Sequence, residues 1–430
     1  MDTLHPAPRN PALTADVAVI GAGIIGLGIA HEARRSGRSV VVIDPAPATG
    51  ATFAAAGMLA PVSELHYQEE DLLELMLASS QLWPGFVEGL QSAARGTGYR
   101  TTPTLAVGAD AADRRAFADL RDVQLGLSLE IRALPLREAR EREPLLSPQI
   151  SCAFEIPGDH QVDPRRLAAT ILESLGRHSP EAASWVDGVT DGFLLNTAAA
   201  GLLWEDAKGE DARVAGVLLA DGAMVRATET VLANGLGASA LEGLPEGLVL
   251  PLRPVYGDIL RLRVPRHLQP LLTATVRGLV RGVPVYIVPR DDGTVVIGAS
   301  QREDGPSSAS VVSAGGVYQL LRDAQVLLPA VAELELLEST ARARPGTPDN
   351  APLLGRVGTA APRAGRDGGQ LPGLIVATGF FRHGVLLTPA AASICVGLMD
   401  GRRDERWTRF RPDRFPNSLH PAPATIKEHA

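Results

Sequence analysis

Residues 16–44 read as one complete strand–turn–helix–strand unit of the dinucleotide-binding kind, and no other stretch constrains the fold so tightly. The apolar run 17–20 is short and β-branched, as expected of a strand buried on both faces. It leads into Gly21-Ala-Gly23-Ile-Ile-Gly26. Gly21 permits the tight turn, Gly23 lets backbone amides approach a pyrophosphate, and Gly26 lets the following helix pack closely on the strand. That helix presents its amide-rich, positive N-terminus to the phosphates. A second apolar run, 40–43, ends at Asp44, where a carboxylate accepts hydrogen bonds from a ribose hydroxyl. The glycines alone are a weak signal. Strand, glycines, helix, strand and acid in that order are a strong one.

The 430 residues are too many for one compact core and predict two domains, with room for one to interrupt the other. The apolar share of 45% excludes general disorder. A net charge of −8 argues against a nucleic-acid partner or an anionic membrane surface. Two cysteines, Cys152 and Cys395, cannot make a disulfide framework or a cysteine-rich metal site, which fits a reducing cytoplasm. The first fifteen residues lack the apolar core of a signal peptide, and no run approaches the roughly 18–20 apolar residues that cross a bilayer. A soluble, cytoplasmic protein is expected.

Further along, 72–90 has apolar residues at helical spacing, 104–107 reads as a strand, and 114–121 as part of a charged helix. Residues 214–219 and 224–230, joined by Asp221-Gly222, read as a hairpin that runs into a buried strand ending at Gly235. β-formers cluster at 260–263, 283–289 and 294–299 and predict an antiparallel sheet of a second domain. Another apolar strand, 374–378, ends at Gly379, and Thr388-Pro389 reads as the capped start of a helix to Met399. Apolar strands ending in small residues thus lie at 17–20, 40–43, 231–235 and 374–379. If they share one sheet, Gly21, Asp44, Gly235 and Gly379 converge on one cofactor beyond its carboxyl edge.

The fingerprint alone allows a nicotinamide or a flavin. A nicotinamide dehydrogenase carries an acid–base residue for the oxygen it oxidises. The nine histidines are scattered without a constellation, and there is no serine elbow, no H-E-x-x-H and no metal cluster. Strong nucleotide signals without acid–base machinery fit a cofactor that performs the chemistry itself, so a flavin is favoured.

Six segments carry a resemblance to a known family. They are the glycine turn at 21–26, Ala54-Ala-Ala-Gly-Met-Leu-Ala-Pro61, Gln161-Val-Asp-Pro-Arg165, Tyr286-Ile-Val-Pro-Arg290, Arg344-Pro-Gly-Thr-Pro-Asp349 and Ala377-Thr-Gly-Phe-Phe-Arg382-His-Gly-Val-Leu-Leu-Thr-Pro389. Together they resemble the FAD-dependent glycine oxidases of thiamine biosynthesis, within the D-amino-acid oxidase superfamily, over residues 16–400. The resemblance implies an α/β fold: a Rossmann-type FAD-binding domain from discontinuous segments (14–92, 143–247 and 341–402). Into it is inserted an α+β substrate domain with an antiparallel sheet (93–142 and 248–340), leaving peripheral tails at 1–13 and 403–430.

Carried across by position, Gly21, Gly23, Ile24, Ile25 and Gly26 would lie along the pyrophosphate, and Asp44 and Pro45 along the adenosine ribose. Ala51, Thr52, Ala56, Gly57 and Met58 would line the flavin, Val186 would touch the adenine, and Gly235 and Gly379 would close on the cofactor. Phe380, Phe381, Arg382, His383, Gly384, Val385 and Leu386 would wrap the isoalloxazine. Arg344 would hold the substrate carboxylate, with Tyr286 and Arg382 completing the site. Arginine suits that task because its planar fork matches a carboxylate. Arg342 is expected at the surface. No cysteine stands in a flavin-tethering segment, so FAD is expected to be non-covalent.

The implied reaction is hydride transfer from a small amino acid or amine to the flavin, with dioxygen giving hydrogen peroxide and the imine hydrolysed or passed to a thiazole synthase. The amine is bound neutral and no protein base is required. No metal is expected, and the assembly is expected to be a homo-oligomer. Pro284, His383 and a long loop at 358–372 depart from the family pattern. A D-amino-acid or N-methyl-amino-acid (sarcosine) oxidase or dehydrogenase, or a flavoprotein partner without turnover of its own, stay open as alternatives.

Overall fold

The four apolar runs that end in small residues are neighbours in one sheet. In the computed structural model, which describes residues 12–66, 69–90, 96–176, 194–206, 212–303, 310–358 and 369–415, they form the strands Ala12–Ile20, Val40–Ile43, Met224–Leu232 and Leu374–Thr378. Their order is 374–378, 224–232, 12–20, 40–43, all parallel. Val17 and Val19 point into one buried cluster, and Ala18 and Ile20 into another. Both faces are therefore buried, which is why the strands read as unbroken apolar runs.

The register fixes the site. Ile43, Ile20, Leu232 and Val376 stand in one row, so Asp44, Gly21, Ala233 and Ala377 emerge along a single carboxyl edge. The helix Ile24–Arg35 follows that edge and packs against Thr388–Met399. Gly28 makes the crossing close, since a Cβ there would run into the Thr388 methyl. The hairpin predicted at 214–219/224–230 is present as Arg213–Leu219 and Met224–Leu232 and covers the sheet's other face.

The second sheet has the order 335–346, 253–263, 294–298, 283–289, 276–280, 104–108, 152–156, 132–133. Its pairings are antiparallel except that Thr104–Gly108 runs parallel to Val276–Val280. The helix Ala314–Leu327 closes its outer face and seats Leu327 over Gly278. Between the two sheets Ala54 and Ala56 pack on Ile259, Val288 and Val296, with Met58 and Tyr286 alongside. The flavin-type loop and the second sheet thus share a small core.

Four details differ from the sequence reading. Cys152–Ile156, grouped there with the nucleotide-binding segments, pairs with Thr104–Gly108 in the second sheet. An apolar strand carries the same signature in either sheet, so its own residues did not assign it. The strand Glu335–Gly346 crosses the boundary drawn at 340/341, because its whole length pairs with Arg253–Arg263. The tail after residue 402 is not wholly peripheral: Trp407 and Phe410 are buried in the first core, and Arg409 pairs with Asp71 and Glu74. Thr388 is the first helical residue rather than the cap, and its Oγ1 donates to the Gly384 carbonyl at 2.9 Å. Among the described residues no helix is long and apolar enough to cross a membrane.

Candidate active site

A cavity of about 830 Å³ lies between the carboxyl edge of the parallel sheet and the second sheet. That is at the upper end of the ~300–1,000 Å³ usual for ligand sites. Gly21, Gly23, Ile24, Ile25, Asp44, Pro45, Ala51, Thr52, Ala56, Gly57 and Met58 line it. So do Gly235, Gly379 and the whole run 380–386, together with Tyr286 and Arg344. Of the residues singled out from the sequence, only two are missing. Gly26 packs against the Gly21 carbonyl behind the wall, and Val186 lies outside the described residues.

Local chemistry explains the glycine end. Gly21 has φ +103°, and a Cβ there would lie 2.6 Å from the Ala233 oxygen. Asp44 ties the turn down: its carboxylate accepts from Ala22 N and Ala46 N, each at 2.7 Å. Thr52 Oγ1 accepts from Ile24 N at 2.9 Å. Gly23, at the N-cap of the helix, has no side chain to satisfy the amides that follow, and a Cβ on it would meet only Thr52. Apart from that one bond from Thr52, the helix start facing the cavity has no capping side chain, which makes it an anion site in waiting. These features fit the pyrophosphate of FAD.

The loop that lines the middle of the cavity is braced from behind. Arg290 donates to the Ala56 and Val162 carbonyls and to Gln161 Oε1, the Val162 bond being 2.9 Å. Gly57 has φ +77°, and a Cβ there would strike the Val162 carbonyl. Arg290 thus ties the Tyr-Ile-Val-Pro-Arg segment to the Ala-Gly-Met segment.

At the other end, two side chains stand over two glycines. The Arg344 guanidinium covers Gly257 and the Tyr286 ring covers Gly298; a Cβ on either glycine would overlap the side chain above it. Tyr286 is directly across from Gly298 in the register, and the Arg344 charge acts on its hydroxyl from close by. Burial pushes the Tyr286 phenol up, against the opposing pull of Arg344 and Arg277, so it stays neutral.

Arg382 lines the cavity but is committed elsewhere. It forms ion pairs with Glu69 and, at 3.4 Å, with Glu64, while Asn350 Nδ2 donates to Glu69 at 3.1 Å. Burial and the Arg382 charge pull the His66 imidazole down and pull that of His383 down further. Both are neutral near pH 7.

Sequence reasoning missed three charged wall residues. Arg277 faces Tyr286 across the strand pair and forms an ion pair with Glu64, which also lines the cavity. Burial and the neighbouring Arg382 bring the Arg277 guanidinium down to about 10, which leaves it protonated at neutral pH. The strand that carries it has glycine at its centre, and Glu64 lies at the end of a turn, so neither residue carries a motif. Arg342, expected at the surface, is half-buried on the cavity wall and donates to the Thr49 carbonyl at 2.8 Å.

Comparison with known proteins identifies relatives of the chain and of its fold. The family model described as DAO, FAD dependent oxidoreductase, matches residues 16–398. The glycine oxidase of Geobacillus kaustophilus is 31% identical over 392 residues, covering 90% of this chain and 93% of that protein. The bifunctional protein ThiO/ThiG of Trichormus variabilis is 29% identical over 418 residues, 96% of this chain but 57% of that protein. The chain thus spans about half the length of such bifunctional relatives. Its fold superposes on the crystal structure of the Geobacillus kaustophilus glycine oxidase with a TM-score of 0.77 at 28% identity, covering 94% of this chain and 99% of that one.

Proposed function

The chain belongs to the DAO family of FAD-dependent oxidoreductases, and from that premise we propose that it oxidises glycine or another small amino acid or amine to the imine. The observation that carries the reading is Arg344 beside Tyr286 in the same cavity as the glycine turn. Bound FAD would supply the acceptor, taking a hydride from the α-carbon and returning two electrons to dioxygen as hydrogen peroxide. Gly21, Gly23, Ile24, Ile25 and Thr52 would hold its pyrophosphate, Asp44 and Pro45 its ribose, and residues 56–58 and 380–386 its flavin. Cys152 and Cys395 are buried and line no part of the cavity, which supports non-covalent binding.

The residues of the chain then bind and orient. Arg344 takes the substrate carboxylate with its two-pronged donor, and Tyr286 Oη adds a third hydrogen bond. Arg382, already paired with Glu64 and Glu69, fixes the loop 380–386. Rate acceleration by position and fixed charge needs no proton-transfer residue. The product imine is either hydrolysed or, by analogy with relatives named for a thiazole synthase fusion, handed to such an enzyme in thiamine synthesis. A soluble cytoplasmic setting and a homo-oligomer complete the proposal.

The pH dependence of peroxide formation tests it. His66 and His383 are held below their usual value and Tyr286 above its own, so no cavity side chain among these changes charge between about pH 7 and 10. kcat/KM for glycine should therefore rise with pH as the amine loses its proton, up to the region near pH 10 where Arg277 itself titrates. For N-trifluoroethylglycine, whose amine is far less basic, the midpoint should move down by the same interval as the amine itself. A common midpoint for both compounds, or no peroxide from any small amine, contradicts the reading.

A further inference from the structure

The cavity's substrate end has a definite charge. Arg277, Arg344 and Arg382 contribute three positive charges; Glu64, which pairs with Arg277 and Arg382, and Glu69, behind Arg382, contribute two negative ones. Asp258 lies near Arg344 but is already paired with Arg302 at 2.8 Å. The neighbouring histidines and Tyr286 are neutral. Arg342 also lines the wall, but its guanidinium is held at the Thr49 carbonyl and over the Phe53 ring, so the sum around Tyr286 is one positive charge, and Arg344 is the cation of these three without a carboxylate partner among the described residues.

We infer that Glu64 sets the substrate class of this pocket to amines bearing a single carboxylate. The inference rests on the proposed binding of a substrate carboxylate by Arg344. One carboxylate brings the buried end to neutrality. A second, on the nitrogen substituent or the side chain, would stand beside Arg277 and Arg382 with their charges already cancelled by Glu64 and Glu69. A buried anion without its own cation is disfavoured, as is a like charge brought against Glu64. Glu64 and Arg277 are 12% and 13% exposed, so water screens the conflict poorly. Register holds Arg277 there: it faces Tyr286 across the strand pair, and its charge, like that of Arg344, acts on the Tyr286 hydroxyl.

The charge count makes opposite predictions for three variants. Glu64→Gln keeps the shape and leaves two positive charges. Glu64→Gln with Arg277→Gln restores one. Arg277→Gln alone leaves none. Two ethers that cannot be oxidised as amines serve as probes: methoxyacetate, with one carboxylate, and diglycolate, with two. Each is titrated into the FAD-loaded protein and followed by the perturbation of flavin absorbance.

The wild-type protein should bind methoxyacetate at least tenfold more tightly than diglycolate. Glu64→Gln should narrow that ratio by tenfold or more, and the double variant should restore it. Arg277→Gln, which keeps an observable if Glu64→Gln fails to fold, should weaken methoxyacetate about tenfold. Equal binding of both ethers by the wild type, or a ratio unchanged within twofold in Glu64→Gln, overturns the inference while leaving the carboxylate site standing. If neither ether perturbs the flavin, the carboxylate reading fails and this inference fails with it.

Discussion

Replacing Arg344 with alanine should lower kcat/KM for the amine substrate about a hundredfold and leave FAD bound. The guanidinium lies over Gly257, stands near Tyr286 and faces the cavity, so its removal takes away a charged donor without touching the glycine turn. A hundredfold corresponds to about 2.7 kcal/mol at about 1.36 kcal/mol per tenfold, which lies within the ~1.5–3 kcal/mol of a charge-assisted hydrogen bond. The same substitution leaves Tyr286 and the Arg277–Glu64 pair in place, so the loss should fall on carboxylate binding and orientation together. Steady-state kinetics with a flavin-to-protein ratio measured on the same sample checks this. Unchanged kinetics would remove Arg344 from the site; a lost flavin would make it a structural residue.

The second large effect lies at the other end of the cavity. Gly26→Ala places a Cβ on top of the Gly21 carbonyl and 3.3 Å from Val19 Cγ1, forcing the helix off the strand. Overpacking of that kind costs about 1–3 kcal/mol, and here it also opens the amide cluster that would face the pyrophosphate. The purified variant should carry less than about a tenth of the wild-type flavin, and its apoprotein should melt at a lower temperature. Gly23→Ala is the control. Its Cβ meets only Thr52 Oγ1, at 3.5 Å, so the apoprotein should keep its melting temperature while FAD binding weakens. If both alanines behave alike, the division between packing and phosphate approach is wrong.

Much of this was legible in the residues because of where the strands lie. A parallel sheet buried on both faces leaves continuous apolar runs, and the carboxyl edge at which it meets a ligand favours glycine. Residues 17–20, 231–235 and 374–379 carry both marks, 40–43 carries the first and ends at Asp44, and the register aligns their ends. The second sheet was legible only in part. Strands such as Cys152–Ile156 look alike in either sheet, and membership is decided by pairing with residues about fifty positions away.

The least legible feature is the charge balance at the substrate end. Glu64 and Arg277 are 213 positions apart, on a turn and on a glycine-containing strand, and only the fold makes them a pair. Arg382 could be located from its motif, but its pairing with Glu64 and Glu69 could not, and that pairing separates a free carboxylate anchor from a neutralised one. Arg342 reads as a surface arginine because nothing in its neighbours shows that the Thr49 carbonyl reaches it.

The central claim is that the glycine edge and Arg344 serve one site, with FAD at one end and the α-carbon of a small carboxylate-bearing amine against its flavin. An anaerobic absorbance spectrum of the purified protein before and after glycine tests it most directly. The account predicts a flavin spectrum at near one FAD per chain, bleached on adding glycine or a comparably small amino acid and restored by air with release of hydrogen peroxide. Folded protein without flavin, or bound flavin that no small amino acid bleaches, would contradict it.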